Sequence, residues 1–429
     1  MSFPRYPAYK PSGVEWLGEV PLDWNLVQVR RLGPLVESGT SVNSLDNQPS
    51  GDKPAVLKTS CVYTGIFRKE ECKEIVKDEI VRASCPVKKN SLIVSRMNTP
   101  DLVGAAGLTD SDVDNLFLPD RLWQVRLAKA VSSYAYYWTQ SSLYRGQVKA
   151  TCSGTSSSMQ NLSQENFFSF YLALPDQVYQ AHIATFLDHE TAKIDALIAE
   201  QQRLIELLHE KRQAVISHTV TKGLNPDAPM KDSGVEWLGK VPEHWEIMPL
   251  KRIVAMQSGN QITSERIESA GLYPVYGGNG LRGYTSSFTH SGEFVLVGRQ
   301  GALCGNINYS TGKFFASEHA VVATPRKTID VSWLGEMMRT MNLNQYSVSA
   351  AQPGLSVELI SNIKTIYVPV EEQRILASFL NDQDQALSGL STEAIKTIDL
   401  LQERRSTLIS AAVTGQIDVR GYAPEAAVA

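Results

Sequence analysis

The segment GVEWLGEVPLDW (Gly13 to Trp24) returns 221 residues later as GVEWLGKVPEHW (Gly234 to Trp245), with nine of twelve positions identical. A longer segment also recurs: Ile183 to Thr221 aligns without a gap on Leu376 to Thr414, 193 residues further on. The stretches between these repeats barely resemble each other. The chain is therefore a duplicated frame carrying two different blocks, an arrangement suited to reading two different things at a fixed separation.

The long repeat is helical by its signals. Each copy begins after proline (Pro175-Asp176; Pro369 followed by Glu371-Glu372), and proline with acids in the first turn marks a helix start. The spacing predicts a short helix to about Leu187 and a restart with Asp188 as N-cap, with Asn381-Asp382 equivalent in the second copy. Beyond that, apolar residues recur at helical spacing: Ile194, Leu197, Ile198, Leu204, Ile205, Leu208 and Val215, then Leu387, Leu390, Ile395, Ile398, Leu401 and Leu408. Such a helix of about 30 residues spans roughly 45 Å and must bury one face. Two matching stripes can bury each other as an antiparallel, coiled-coil-like pair; the plainer alternative is that each helix packs on its own domain. Gly223 and Gly415 lie where the helices should stop. The start of the chain, YKPSGVEWLG, matches the interior MKDSGVEWLG, so it resembles the linker that would follow the second helix if the ends were joined. That relation predicts a circular pseudo-two-fold.

The blocks read as mixed α/β with many short strands. Ser91 to Met97 and Leu122 to Ala128 suggest strands and Tyr134 to Ala150 a helix; Glu293 to Gly298, Ala320 to Pro325 and Val331 to Leu343 repeat that order. Both blocks place an arginine at the end of a strand (Arg96; Arg299) and finish in a Ser/Gly-rich loop closing on Leu-Ser (Leu162-Ser163; Leu355-Ser356). The organisation expected is a linker repeat over 1–24, a first block over 25–174, a helical region over 175–223, a second linker over 224–245, a second block over 246–368, a second helical region over 369–420 and a tail over 421–429. The fold class is α+β.

Net charge is −4, yet its distribution is uneven. The blocks carry 17 basic against 14 acidic residues (25–174) and 10 against 8 (246–368), whereas 175–245 and 369–429 carry 7 against 11 and 5 against 9. Excesses this small are modest for a phosphate-binding surface. Five cysteines without a CxxC pair are no disulfide framework, and Cys61, Cys72 and Cys85 lack the histidine that would complete a zinc spacing. No apolar run is long enough for a membrane span, and the N-terminus lacks a signal-like core. A cytoplasmic protein without a metal of its own is expected.

Gly278-x-Gly280-x-x-Gly283 matches a dinucleotide-binding pattern, but it leads into Tyr-Thr-Ser-Ser-Phe, a poor helix start. The better reading is a turn presenting Tyr276, Asn279, Arg282 and Tyr284, side chains suited to phosphate, base-edge and stacking contacts; the plain alternative is a structural turn. Arg96, Asn98, Arg121, Arg145 and Lys149 in the first block, and Arg299 and Gln300 in the second, complete the candidate DNA-binding set. The hydroxyl-rich loops from Lys149 to Ser163 and from Ser347 to Ser356 could approach a DNA backbone, or be ordinary exposed connections. No GxxxxGK[ST], HExxH or GxSxG motif is present, so no catalytic residue is expected.

The duplicated GVEWLG(E/K)VPxxW entry, the YPVYGGNGLRGY turn and the helix ending in LQERRSTLISAAVTGQID together resemble the specificity subunit of Type I restriction-modification systems, over essentially the whole chain. The resemblance implies two target-recognition domains joined by two long antiparallel helices forming a coiled-coil-like spacer. Each domain would read one half of an asymmetric bipartite DNA target. The helices would also dock two modification subunits, which hold S-adenosylmethionine and methylate adenine, and restriction subunits using ATP and Mg would complete the nuclease. Individual base contacts do not carry over. The competing classes are a coiled-coil protein-interaction scaffold and a self-contained DNA-modifying enzyme, the latter disfavoured by the missing cofactor loops.

Overall fold

The computed structural model describes residues 3–156, 159–301, 303–347 and 354–422, and the chain divides into two compact units: unit 1 holds 1–201 and 396–429, unit 2 holds 202–395. Parts of both hydroxyl-rich loops lie outside the described residues.

In unit 1 the first block is closed at its own ends, where the strand Asn25–Gln28 pairs antiparallel with Tyr171–Leu174. Between them, besides the short strands Met97–Asn98, Ser153–Ser156 and Met159–Asn161 that form a sheet of their own, run β1 (Pro34–Ser38), β2 (Ala55–Leu57), β3 (Cys72–Glu74), β4 (Pro86–Val87), β5 (Leu92–Ser95), β6 (Ala106–Leu108), β7 (Val113–Phe117) and β8 (Leu122–Leu127). They form an antiparallel sheet, β6-β5-β8-β1, and a mixed sheet, β3-β2-β7-β4, in which β2 and β7 are parallel. Helices α1 (Ser132–Thr139), α2 (Ser142–Thr151) and α3 (Gln164–Ser169) follow. The single helix expected over 134–150 is thus two. The break has a local cause: the Ser141 hydroxyl accepts the Tyr144 amide at 3.3 Å and caps a new helix.

Unit 2 repeats this plan. The strand Glu246–Pro249 pairs with Lys364–Tyr367, enclosing β9 (Val254–Ser258), β10 (Tyr273–Gly277), β11 (Gly280–Thr285), β12 (His290–Ser291), β13 (Phe294–Gly298), β14 (Ile307–Ser310), β15 (Lys313–Ala316) and β16 (Ala320–Pro325). The sheets are β14-β13-β16-β9, antiparallel, and β11-β10-β15-β12, with β10 and β15 parallel. Every strand of unit 2 has its counterpart eight places earlier, in the same order and with the same pairing sense. The two fillings differ. Around Trp123, Trp138, Tyr144, Phe167 and Phe170 the first core is aromatic, whereas the second gathers Met337, Met338 and Met341 about Trp333. Cores tolerate such exchange when volume and patterning are kept, which explains how one topology carries two unlike sequences.

The repeated segment forms α4 (Gln177–Lys222), of 46 residues, and, after α5 (Val331–Thr340) and α6 (Val357–Asn362), α7 (Val370–Val413), of 44. The expected restart at Asp188 does not occur. Its carboxylate instead accepts the Tyr137 hydroxyl at 2.6 Å, and the cap is Asp176, whose Oδ1 accepts the Tyr179 amide at 2.9 Å. Nothing interrupts the equivalent Asn381-Asp382 either.

The more shielded positions in α4 fall at 187, 191, 194, 198, 201, 205, 208, 212 and 215, alternating steps of four and three, and α7 repeats the pattern from 380 to 412. This is a heptad seam. It is narrower than the stripe read from sequence: Ile194, Leu208, Leu387 and Leu408 are buried, but Leu197, Leu204, Leu390 and Ile395 are exposed, because they lie one position off the 3.5-residue repeat. Within unit 1, Arg405 on α7 pairs with Asp195 on α4, while Tyr422, beyond the α7 terminus, lies against the early turns of α4 at Phe186 and His189. Within unit 2, Arg212 pairs with Asp384, and Ile216 shares a cavity wall with Ala377 and Leu380. In each unit the two helices are antiparallel.

Both helices end on glycines at φ +73°, Gly223 and Gly415, as expected. Each stop is covered by a tryptophan of the short repeat, Trp245 beside Gly223 and Trp24 beside Gly415. The two hairpins bearing these tryptophans share one register, with Tyr9 opposite Pro21 and Met230 opposite Pro242. Unit 1 takes its hairpin from the beginning of the chain and its helix end from the other terminus: the Asp418 amide donates to Pro4 O at 2.7 Å and the Tyr9 hydroxyl to Gly415 O at 3.0 Å.

Candidate nucleic-acid interface

The strand-end arginines occupy equivalent places in a backbone node. Arg96 follows β5; its amide donates to the carbonyl of Arg121, the residue before β8, at 3.0 Å, and its carbonyl accepts the Leu162 amide at 2.8 Å. Arg299 follows β13; its amide donates to His319, the residue before β16, at 2.9 Å, and its carbonyl accepts from Leu355 at 2.9 Å. The loop that closes on Leu-Ser is thus tied to the strand-end arginine in both units. Asn98 extends the node through the pairing of Met97–Asn98 with Gln160 and Asn161, and Gln300 extends it through a bridge to Gly354.

Side chains at the node differ. The Arg96 guanidinium lies 5.7 Å from the Trp123 ring centre, with a buried Nε that has no partner, whereas Arg299 donates to the Ser258 hydroxyl at 3.2 Å. Arg121 is exposed, and His319 takes its place in unit 2. The same frame therefore holds its strand-end arginines against different partners and carries an arginine in one unit where a histidine stands in the other.

In unit 1 the Asn98 amide is committed internally, donating to Tyr63 at 3.0 Å and to Ser95 at 3.2 Å. Tyr63, which the sequence gave no reason to choose, also lines a cavity of about 570 Å³ with Asp101, Arg145 and Lys149. Arg145 holds the 100–103 loop through the carbonyls of Pro100 and Val103, while Lys149 stays exposed. Arg96, Asn98 and Arg121 thus meet at the node, and Arg145 and Lys149 stand together on α2, linked to it through Tyr63.

In unit 2 the glycine pattern is a hairpin turn between β10 and β11, so no helix opens at it and no dinucleotide cradle forms. The turn lies on the node. A Cβ at Gly278 would stand 3.1 Å from the Gln300 carbonyl, a tight approach, and one at Gly298 only 2.2 Å from the Gly278 carbonyl, which leaves room for glycine alone at 298. Asn279 accepts from Asn306 at 3.3 Å, and Tyr276 meets Phe314 edge-on at 5.8 Å. Tyr276, Asn279, Arg299 and Gln300 therefore cluster. Arg282 is exposed further along β11 with its stem over Gly277, and Tyr284 exchanges backbone bonds with Glu268, so these two extend away from the cluster. Asn308 and His319 also belong to it, each with a buried nitrogen lacking a partner. The only sequence signal for Asn308 was its place in the polar strand of GNINYS.

Among the described residues no group of three or more His, Cys, Asp or Glu could hold a metal. Cys61 and Cys72 are packed in the core, and burial pushes the Cys85 thiol up to about 11. No described helix is long and apolar enough to cross a membrane.

Residues 242–399 match the family model described as the Type I restriction modification DNA specificity domain. The EcoprrI specificity subunit of a Type I restriction enzyme from Escherichia coli is 42% identical over 148 residues, covering 34% of this chain and 37% of that relative. The MjaVIII specificity subunit of Methanocaldococcus jannaschii is 21% identical over 94% of each chain. Among solved structures, the HsdS subunit from Thermoanaerobacter tengcongensis superposes with a TM-score of 0.52 at 14% identity over 93% of this chain and 98% of that one. A chain from a structural study of complex assembly and conformational transition in the type I R-M system gives 0.65 at 15% identity, over 93% and 99%. At these identities the structural likeness concerns the fold. Over residues 242–399 the chain thus matches the DNA specificity domain of Type I restriction-modification systems, and it is similar to specificity subunits of those systems.

Proposed function

We propose that this chain is the DNA sequence-recognition subunit of a Type I restriction-modification complex, in which the blocks over 25–174 and 246–368 each read one half of an asymmetric bipartite target. The observation that carries this reading is the repeated node: one eight-strand topology, built twice, places Arg96 and Arg121 in one copy where Arg299 and His319 stand in the other. A constant scaffold with variable donors is what direct readout of two different base sequences requires, since base edges are told apart by the pattern of donors and acceptors placed against them. Arg145, Lys149 and Arg282 suit backbone contacts, which position a protein on DNA without selecting sequence. The two long helices set the unread spacer and dock two modification subunits. Those subunits hold S-adenosylmethionine and methylate adenine, and restriction subunits supply ATP- and Mg-dependent cleavage, so this chain contributes recognition and no bond-making step.

The test is selection of random-sequence duplex DNA by the assembled complex. Recovery of two unlike short motifs at one fixed separation is expected; retention of DNA without sequence preference would leave a protein-interaction scaffold as the better account.

A further inference from the structure

The duplicated frame is covered unequally in the two units, and the difference falls on one aromatic residue. In unit 1, Phe186 on α4 is fully buried between two rings, Phe3 at 5.2 Å and Tyr422 at 4.8 Å, both edge-on. Tyr422 is held further by its hydroxyl, 3.2 Å from Glu190 Oε1, and by its carbonyl, 3.0 Å from His182 Nε2. The equivalent of Phe186 in the gapless repeat is Phe379 on α7, in unit 2. Phe379 is only half-buried and, among the described residues, has no ring partner; Ile375, one turn earlier, is 61% exposed. Beside Phe379 opens an apolar groove of about 450 Å³, lined also by Val215, Leu224 and Pro226, with Lys211 and His218.

The cause is topological. Unit 1 is closed by both ends of the chain, so Phe3 and Tyr422 approach from separate segments. In unit 2 one linker does both tasks. Leu224 is the counterpart of Phe3 under the 221-residue offset, and Pro229 stands at the counterpart of Tyr422 under the 193-residue offset, so the linker brings no aromatic ring to either place. Gln383 occupies the position of Glu190, so the place keeps a polar group for a phenol hydroxyl.

We propose that the surface of Ile375 and Phe379, with the adjoining groove, seats a tyrosine side chain carried by one modification subunit, filling in trans the place that Tyr422 fills in cis in unit 1. The assignment to a modification subunit rests on the docking role given to the helices above; the aromatic character of the occupant rests on Tyr422. An apolar pocket that buries an aromatic anchor and offers its hydroxyl one polar partner has the composition of an interface hot spot.

The probe is a labelled peptide copying Gln416 to Tyr422, titrated onto the full-length chain and onto Ile375→Arg, whose exposed position leaves folding intact. Binding to the unaltered chain, weakened at least about tenfold by Ile375→Arg and by replacing the peptide's tyrosine with alanine, is expected. In parallel, the mass of the complex assembled with modification subunits should fall by one subunit in Ile375→Arg. Peptide binding indifferent to Ile375→Arg, or a variant that retains both modification subunits, would overturn the proposal. Neither readout involves DNA, so a chain that passes both yet selects no sequence refutes the recognition reading and leaves the seat standing.

Discussion

The Val131 amide donates to Gln180 Oε1 at 2.8 Å, joining the start of α1 to the first turn of α4, and Gln180 Nε2 donates back to Pro175 O at 2.8 Å. Gln373, its equivalent 193 residues on, makes the same two bonds in unit 2, from the Asp330 amide at 2.8 Å and to Val368 O at 2.7 Å. Both glutamines are buried. Replacing Gln373 by leucine leaves a buried amide and carbonyl without partners, at about 1–3 kcal/mol for each unsatisfied group. Gln180→Leu should cost a similar amount, measured as a shift in chemical denaturation, whereas a loss below about 0.5 kcal/mol in both would contradict the clamp.

The interhelical ion pairs should matter far less. Arg405 Nε donates to Asp195 at 2.9 Å, with side chains 24% and 45% exposed. Partly solvated pairs of this kind contribute about 0.2–1 kcal/mol, less in high salt. A double-mutant cycle on Arg405 and Asp195 is expected to give a coupling in that range that shrinks between low and high ionic strength.

The two helix-stopping glycines are equivalent in conformation but not in surroundings. A Cβ at Gly415 would come within 2.4 Å of the Pro21 ring, whereas at Gly223 the nearest atom is 3.3 Å away on Trp245. Both alanine variants incur the left-handed penalty of about 1–2 kcal/mol, and Gly415→Ala adds a clash. Thermal denaturation should rank Gly415→Ala below Gly223→Ala.

Much of this frame is legible in the sequence because the repeats mark it. The glycine stops, the closure of the chain's two ends and the strand-end arginines all follow from two offsets and local residue types. The seam width does not. Leu197 and Leu204 look as apolar as Ile194, and only the 3.5-residue geometry of a helix pair decides which are covered. Asp188 reads as a cap until Tyr137, 51 residues away, is seen to take its carboxylate. Tyr63, Asn308 and His319 escaped for the same reason: each joins the candidate interface through a partner distant in sequence.

Spacer length should follow helix length. Four residues inserted into one helical region lengthen it by about 6 Å, under two base pairs at ~3.4 Å each. The preferred separation of half-sites is expected to increase without change in either half; an unchanged separation would contradict the ruler.

The recognition blocks carry only small basic excesses, so the purified chain should hold DNA weakly at physiological salt. Filter binding with and without the modification subunits checks this, and tight, specific binding by the chain alone would oppose it.

The measurement that reaches the central claim most directly is methylome sequencing of cells expressing the modification subunit with the chain, without it, and with Arg299→Ala. The chain should create one asymmetric, bipartite adenine-methylation motif, and Arg299→Ala should relax a position in one half only, where a good base contact contributes about 1–3 kcal/mol of discrimination. No new motif in the presence of assembled partners, or equal relaxation of both halves by Arg299→Ala, would contradict the account.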